Sequence, residues 1–452
     1  MISYQDWLKY AVTEQGRVQT ICTAIAQHKG TEMYRTAFDA EEYDCQRNVT
    51  ILKYRKVLYT LTGKAVEDVY TPNHKICSNF FNRFTTHLNQ YLLGNGVTFE
   101  DESAKERLGE DFDDKLQQMG RNALVQGLAF GFWNLDHLEC FKFTEFVPLW
   151  DEYTGKLMAG IRFFQIDSDK PLRATVYELD GYSEYVQPSG EEMRLAEPKR
   201  PYRLTVTSTA AAGVEEVSGE NYPGFPVIPM WGNIHHQSEL VGLRQSIDAY
   251  DLIKSGFAND MDGAHLYWLL QNSGGMDDID IAQMLERLNV LHAAVAEDEG
   301  QITAHEVNIP YESRVAYLDR LEEDMYRDFQ ALNVEKVSSN RQMTATAINA
   351  AYQPFDTKAD AFEYQVLQFW KQLSAVTGIE GKPTFTRNRV ANRQDEINML
   401  LSCAEYLDEE TIIRQLCNVL GIADAADEVL ARRQESAANA IIEEPSGSED
   451  EE

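Results

Sequence analysis

From Ser238 to Asp262 the apolar residues fall at Leu240, Leu243, Ile247, Tyr250, Ile253, Phe257 and Met261, each three or four positions after the last. That spacing is the repeat of one helix face. It predicts a single amphipathic helix of roughly 38 Å at ~1.5 Å per residue, with Ser238 as its N-cap. The pattern returns behind Pro310, from Tyr311 to Leu332, with Val315, Leu318, Leu321, Met325, Phe329 and Leu332 on one stripe. The opposite faces are acidic: Asp248, Asp251 and Asp260 on the first helix, and Asp319, Glu322, Glu323, Asp324 and Asp328 on the second. Between them, residues 264–309 read as a small α/β insertion. It holds strands at His265–Leu270, Val290–Ala296 and Ile302–Ile309, and a helix at about Asp278–Leu288. Two long helices joined at their far ends by a small domain make a stalk with a tip.

The flanking regions differ in period. Residues 1–100 read mostly helical, and Ile76–Leu93 places Ile76, Phe80, Phe84, His87 or Leu88, and Tyr91 on one face before Gly94-Asn95-Gly96 ends the helix. A further helix is predicted over about Asp113–Gly127. From Ala129 to Gln187 the chain turns rich in Phe, Tyr, Val and Ile, with turn signals at Asp151–Gly155 and Asp180-Gly181, which predicts an antiparallel sheet. The polar stretch Pro188–Pro201 is expected to interrupt it, and Tyr222–Pro229 to form a rigid extended linker and domain boundary. After the short polar stretch Asn333–Met343, a long helix is predicted over Thr344–Thr377 with Gly378 as its C-cap. Pro354 must kink or break it, because its ring displaces a backbone hydrogen bond. A last helical module covers about Arg393–Arg433, with Asp408 capping a helix that starts at Glu409. The fold class is thus α+β, predominantly helical.

Composition narrows the function classes. Lys plus Arg number 41 and Asp plus Glu 73, a formal charge of −32. DNA-wrapping or base-reading proteins usually present a net basic face, so that class is disfavoured, while a surface past which DNA slides without sticking is allowed. A hydrophobic fraction of 43% and an aromatic fraction of 11% over 452 residues suffice for several cores. The cysteines Cys22, Cys45, Cys77, Cys140, Cys403 and Cys417 are scattered and read as reduced thiols. No stretch approaches a membrane span, and Met1–Tyr10 is not a signal peptide, so a soluble protein made inside a cell is expected. The tail from Glu443 carries six acids in ten residues and is expected to be disordered.

Catalytic patterns are missing. Gly155-Lys156-Leu157 lacks both the first glycine and the hydroxyl of a P-loop, and no H-E-x-x-H, G-x-S-x-G or G-x-G-x-x-G occurs. His235-His236 has no further ligand at metal spacing and reads as a loop pair beside the helix start. Asp151-Glu152, beside Tyr153-Thr154-Gly155, reads as a turn former rather than an acid–base pair. No enzyme, cofactor or metal site is expected.

The order of the parts carries a resemblance. Asn73-His74-Lys75-Ile76 leads into Tyr91-Leu92-Leu93-Gly94. Phe146-Val147-Pro148-Leu149-Trp150-Asp151 is followed by Ile161-Arg162-Phe163-Phe164. Phe225-Pro226-Val227-Ile228-Pro229 and Asn233 precede Ser246-Ile247-Asp248-Ala249-Tyr250-Asp251. Phe385-Thr386-Arg387-Asn388 and Leu407-Asp408-Glu409-Glu410-Thr411 come near the end. Over roughly residues 60–430 this ordered set resembles the portal proteins of tailed double-stranded-DNA phages, siphophage type.

The resemblance implies a phage-portal architecture. Its parts are a wing over 1–235, a first stem helix over 236–262, a clip over 263–309 and a second stem helix over 310–332. A tunnel loop over 333–343, a kinked wing helix and return segment over 344–392, a crown over 393–433 and an acidic tail over 434–452 follow. It implies a homo-oligomeric ring of about a dozen subunits at one capsid vertex of the virion, assembled in the host cytoplasm and used for genome packaging and ejection. Expected partners are other copies of the chain, double-stranded DNA held non-specifically in the channel, the terminase large subunit, major capsid and scaffolding proteins, and head-completion or adaptor proteins. The tunnel loop, with Lys336, Ser338, Asn340 and Arg341, would touch DNA, although Ser338–Thr344 lacks the glycine expected near the start of the kinked helix. Asp248, Asp251, Glu322 and Asp328 would face the channel, where like charge repels phosphate. The same acids would serve equally as a solvated helix face, and Lys336 and Arg341 could pair instead with Glu335 or Asp328. A minor capsid or scaffolding component is the alternative, which the β-rich 129–187 region disfavours; an enzyme with a scattered site is the other.

Overall fold

The computed structural model describes residues 2–59, 63–68, 71–209, 214–262, 266–271, 279, 283, 301–306, 311–333, 345–387, 397, 400–403, 406–420 and 426–433. The chain divides into two compact units: Met1–Ala331 with Thr357–Thr386, and Leu332–Asp356 with Arg387–Glu452.

The first unit opens with helices α1 (Tyr4–Tyr10), α2 (Glu14–Gly30), α3 (Glu32–Asp44) and α4 (Val49–Lys53). Ser3, Thr13 and Thr31 cap the first three through their side-chain oxygens, which accept the orphan N–H groups of the first turn. A small hairpin, β1 (Val57–Tyr59) with β2 (Ala65–Glu67), leads to α5 (Phe80–Leu93), β3 (Val97–Phe99), α6 (Glu102–Leu108) and α7 (Phe112–Gln126). The predicted helices over Ile76–Leu93 and Asp113–Gly127 are α5 and α7, the first starting four residues later than its stripe suggested.

The β-rich region makes two sheets. β4 (Leu128–Asn134), β5 (His137–Lys142) and β13 (Val227–Trp231) form an antiparallel sheet in the order β13-β4-β5. β6 (Phe146–Trp150), β7 (Leu157–Phe164), β8 (Leu172–Glu178), β9 (Gly181–Gln187) and β10 (Arg194–Arg200) form a five-stranded meander. β11 (Arg203–Thr209) and β12 (Val214–Glu220) pair as a separate hairpin. Leu128–Trp133 is an unbroken apolar run because β4 is central and buried on both faces. Gly131 is required there: the Phe369 ring and the Met119 sulfur lie 2.9–3.0 Å from where its Cβ would be. The meander buries one face against α1 and α2, packing Val147, Leu149, Ile161 and Val176 on Trp7, Ile21 and Ile25.

Two expectations fail here. Pro188–Pro201 does not only interrupt the sheet; it contains β10, an edge strand whose side chains are mostly exposed and therefore lack the apolar alternation that marks a half-buried strand. Tyr222–Pro229 is not a linker either. Its end is β13, paired with β4 in register Val227↔Phe132 to Trp231↔Leu128, with Val227, Ile228 and Met230 buried. Pro229 is tolerated because β13 is an edge strand. By contrast, Asp151–Gly155 is the turn expected: Asp151 Oδ1 accepts the N–H groups of Tyr153 and Thr154 at 2.8 Å, and Gly155 takes a φ of +66°.

Beyond the sheets come α8 (Arg244–Asp262), the antiparallel pair β14 (Leu266–Gln271) and β15 (Gln301–Glu306), α9 (Tyr311–Phe329) and α10 (Ala345–Thr377). The predicted helix at Asp278–Leu288 and strand at Val290–Ala296 lie outside the described residues, apart from isolated helical positions 279 and 283. α10 runs on through Pro354, and Gly378 ends it with a φ of +68° and an N–H to Ser374 O at 2.8 Å. β16 (Pro383–Phe385) pairs with β3. In the second unit, α11 (Glu409–Leu420) is capped by Asp408, whose Oδ2 accepts Thr411 N at 3.0 Å. Ile413 and Cys417 of α11 pack on Ala426, with Arg414 paired to Asp427 at 2.9 Å.

Candidate functional site: the two long helices and their root

α8 and α9 lie antiparallel. Near the β14–β15 end, the Phe257 and Tyr311 rings are 5.5 Å apart and Arg314 pairs with Asp260. Nearer the other end, the Tyr250 phenol is pushed up by burial and then by the nearby charges of Glu322, Asp251 and Asp319. α5 is the bed for that second end. Phe80 meets Tyr250 edge-on at 5.0 Å, Phe84 stacks on Phe329 at 5.0 Å, and Arg83 Nη1 donates to the Tyr326 hydroxyl at 2.9 Å. Met325 and Phe329 are therefore buried, while Met261, Tyr311 and Tyr317 are 71%, 59% and 50% exposed. Aromatic and sulfur side chains left half in water along a helix pair are candidates for cover by another molecule.

The first helix starts later than predicted. Residues 239–243 form turns closed by three-residue hydrogen bonds, Val241 N to Ser238 O and Leu243 N to Leu240 O. The α-helix begins only at Arg244, which gives 19 residues and roughly 28 Å. Ser238 is not its N-cap. Its hydroxyl donates to Val125 O at 2.5 Å and accepts Leu240 N, so it fastens this turn to the C-terminal end of α7. The apolar stripe ran across both segments because Leu240 and Leu243 are as buried as Ile247.

Two of the four expected channel acids are corrected by their contacts. Asp251 has no exposure at all: its carboxylate accepts Ser78 N at 2.8 Å and the Asn48 amide. Burial raises its pKa, and these hydrogen bonds oppose the rise. Asp248 accepts the Tyr43 hydroxyl and, at 2.8 Å, the Thr50 hydroxyl. Burial first, and then that bond to Asp248, push the Tyr43 phenol up to about 12. Both acids therefore face the N-terminal helices of their own chain.

They belong to a ladder that sequence reasoning missed. Ser255 Oγ accepts Ile76 N at 2.9 Å and Asn259 Oδ1 accepts His74 N at 2.6 Å, so Asp251, Ser255 and Asn259 hold the alternate N–H groups of residues 78, 76 and 74. The fit is geometric. Four residues of helix rise ~6.0 Å and two residues of extended chain ~6.6 Å, so the two repeats run nearly in step. The signal available in the sequence was Asp-x-x-x-Ser-x-x-x-Asn on one helix face, a polar i, i+4, i+8 stripe.

The other two acids are on α9: Glu322 is half-buried and Asp328 exposed. Lys336, Ser338, Asn340 and Arg341 lie outside the described residues, as does the tail from Glu443. Pro354 lies inside α10.

A separate cavity of about 310 Å³ lies over the meander, lined by Phe132, Tyr177, Tyr182, Tyr202 and Tyr222 with Arg162 and Glu139. Burial pushes the Tyr177 and Tyr202 phenols up, so both stay neutral, and Arg162 is spent on Glu139 at 3.6 Å and on the Phe141 ring at 4.2 Å. Among the described residues no group of three His, Cys, Asp or Glu side chains is placed to hold a metal, and no helix is long and apolar enough to cross a membrane.

With this geometry in hand, comparison with known proteins decides the family. The model of the phage portal proteins, SPP1 Gp6-like, matches residues 28–439. The chain belongs to that family. The portal protein of Bacillus phage SPP1 is 23% identical over 403 residues, spanning 79% of this chain and 75% of the phage protein. The portal protein of Clostridium phage phiCD119 is 23% identical over 225 residues, 47% of this chain and 50% of its own length. Among solved structures, a chain from the neck of an empty GTA particle aligns over 75% of this chain and 90% of its own, at 11% identity and a TM-score of 0.36. The portal family is structural rather than enzymatic, and the mixed α and β architecture expected from sequence is the one observed.

Proposed function

We propose that this portal protein works as a ring of about a dozen copies at one capsid vertex of the virion, assembled in the host cytoplasm, whose central channel passes double-stranded DNA during packaging and ejection. The observation that carries the reading is the antiparallel pair α8 and α9, between which the chain passes through the paired strands β14 and β15, in a chain matched to the portal family over residues 28–439. The pair is the stem, the segment around β14 and β15 (263–309) the clip, and the segment between α9 and α10 (333–343) the tunnel loop. Residues 1–235 and the return segment form the wing, and 393–433 the crown. The terminase large subunit and later the head-completion proteins dock on the clip; scaffolding and major capsid proteins surround the ring.

Glu322 and Asp328 face the bore in this reading, and α9 supports it by charge. It carries six acids (Glu312, Asp319, Glu322, Glu323, Asp324, Asp328) against three arginines (Arg314, Arg320, Arg327), a net charge of 3 − 6 = −3. A repulsive wall lets DNA slide, and Lys336 and Arg341 with Ser338 and Asn340 supply a cationic belt of weak, salt-dependent phosphate contacts. Changing Lys336 and Arg341 together to Ala is expected to leave ring assembly normal and to impair packaging or DNA retention. Rings that package and retain DNA at the parental rate after both changes would remove the loop from the mechanism.

A further inference from the structure

Glu239 sits where four elements of the first unit meet. Its N–H donates to Leu124 O at 3.1 Å, at the C-terminal end of α7. Its Oε1 accepts Asn233 Nδ2 at 2.9 Å, from the loop after β13. Its Oε2 accepts Lys358 Nζ on α10 at 2.7 Å. The same ammonium lies 4.0 Å from the centre of the Phe329 ring, the last residue of α9. The two charged side chains are only 12% and 18% exposed. One ion pair, largely out of water, thus joins the start of one stem helix, the end of the other, the helix beneath the sheet and the long helix α10.

The surroundings make this root a joint rather than a continuous rod. Residues 239–243 are turns and not α-helix, and a Cβ on Gly242 would meet nothing within 4 Å. On its other side the joint is held rigidly. Gly127, at a φ of +89°, lets the Gln237–Ser238 backbone pass where a Cβ would be 2.6 Å away, and the His236 ring stacks on Trp231 at 3.9 Å. The joint is therefore fastened on one side to α7 and β13, and on the other Glu239 ties it to Lys358 of α10. A buried ion pair is poor at adding net stability compared with apolar side chains of the same volume, but it enforces one geometry.

We propose that the Glu239–Lys358 pair is a positioning contact that sets the orientation of α8 and α9 against α10, and that passage of DNA depends on it. The inference rests on the reading that these helices are the channel stem. In this account Lys358 touches no DNA; it acts through Glu239 and Phe329.

The test compares Lys358→Met, Lys358→Arg and the exchange Glu239→Lys with Lys358→Glu, each in the full chain. Ring yield, melting temperature and DNA packaged per ring are measured together. Lys358→Met keeps the aliphatic stem over Phe329 and removes the charge; it is expected to form rings at parental yield and to package at least ~10-fold less DNA. Lys358→Arg and the exchange are expected to restore packaging to within ~3-fold of the parent. Parental packaging by Lys358→Met would overturn the proposal. So would lost packaging that neither restoring variant recovers, or loss of the rings themselves in all three. A photo-crosslinker at position 322 reads the stem assignment separately. DNA adducts there with no effect of Lys358→Met sink only the positioning role, and no adduct in packaging rings sinks the stem reading.

Discussion

Asp251 shows how one carboxylate can be misplaced by a correct helix. Its position on the polar face of α8 was legible, and the segment that covers it was not, because Asn48 and Ser78 lie about 200 and 173 positions away in sequence. The group titrates in an informative direction. Burial raises its folded pKa above the unfolded value, so its stabilising effect is present at low pH and is lost as pH rises through the folded pKa. Asp251→Asn keeps an acceptor for Ser78 N and discards the charge, so at pH 7 urea unfolding should show stability equal to or above the parent. Asp251→Ala strands the Ser78 N–H and the Asn48 amide, and should cost ~2–4 kcal/mol. His28 works in the opposite sense. It is fully buried, with Nε2 donating to Phe143 O at 2.9 Å, and burial lowers its pKa to about 4. The imidazole is held neutral, so its contribution is complete above the unfolded value of ~6.5 and is lost as pH falls through about 4. The span corresponds to ~3 kcal/mol. His28→Gln keeps a donor but does not titrate, and urea midpoints between pH 6.5 and 4 should fall less steeply than in the parent.

At the scale of elements, periodic segments were read well and edges poorly. α7, α9, α10 and the Asp408-capped α11 stand within a few residues of their stripes, since a 3.6-residue repeat survives wherever one face is buried. β10 and β13 were missed for different reasons. β10 is an edge strand with little buried surface, and β13 is announced by prolines at 226 and 229 that locally argue for a linker. Its pairing with β4, about a hundred residues earlier, overrides that local signal. The false start of α8 is subtler, because a turn with three-residue hydrogen bonds presents apolar residues almost as a helix does. What locks that turn is Gly127, whose φ of +89° and 2.6 Å clearance to the Gln237 carbonyl carbon exclude any side chain. Gly127→Ala should therefore lower stability by ~2–4 kcal/mol. A thermal melt within a degree of the parent would show that the turn relaxes away from α7.

For the whole molecule, one unmet demand is the apolar surface left exposed on α8 and α9. Near the β14–β15 end, Met261, Tyr311 and Tyr317 are at least half-exposed. Near the α5 end the same helices are sealed by Phe80 and Phe84. The asymmetry has a physical reading: α8 and α9 hide one stripe from each other, and among the described residues no element of their own unit covers the remainder where they leave the α5 bed. Long-range repulsion opposes assembly, since each copy carries −32, so neighbours must gain enough from contact to overcome it, and added salt should help. The expected outcome is a light-scattering mass many times 51.5 kDa that becomes more uniform as ionic strength rises. Tyr317→Glu places an acid at a half-exposed position of this apolar strip. It should shift the mass towards the single chain while leaving the melting temperature of the unassembled form nearly unchanged. A parental mass for Tyr317→Glu at every salt concentration would mean that this strip faces solvent in the assembly, and that subunits meet through other surfaces.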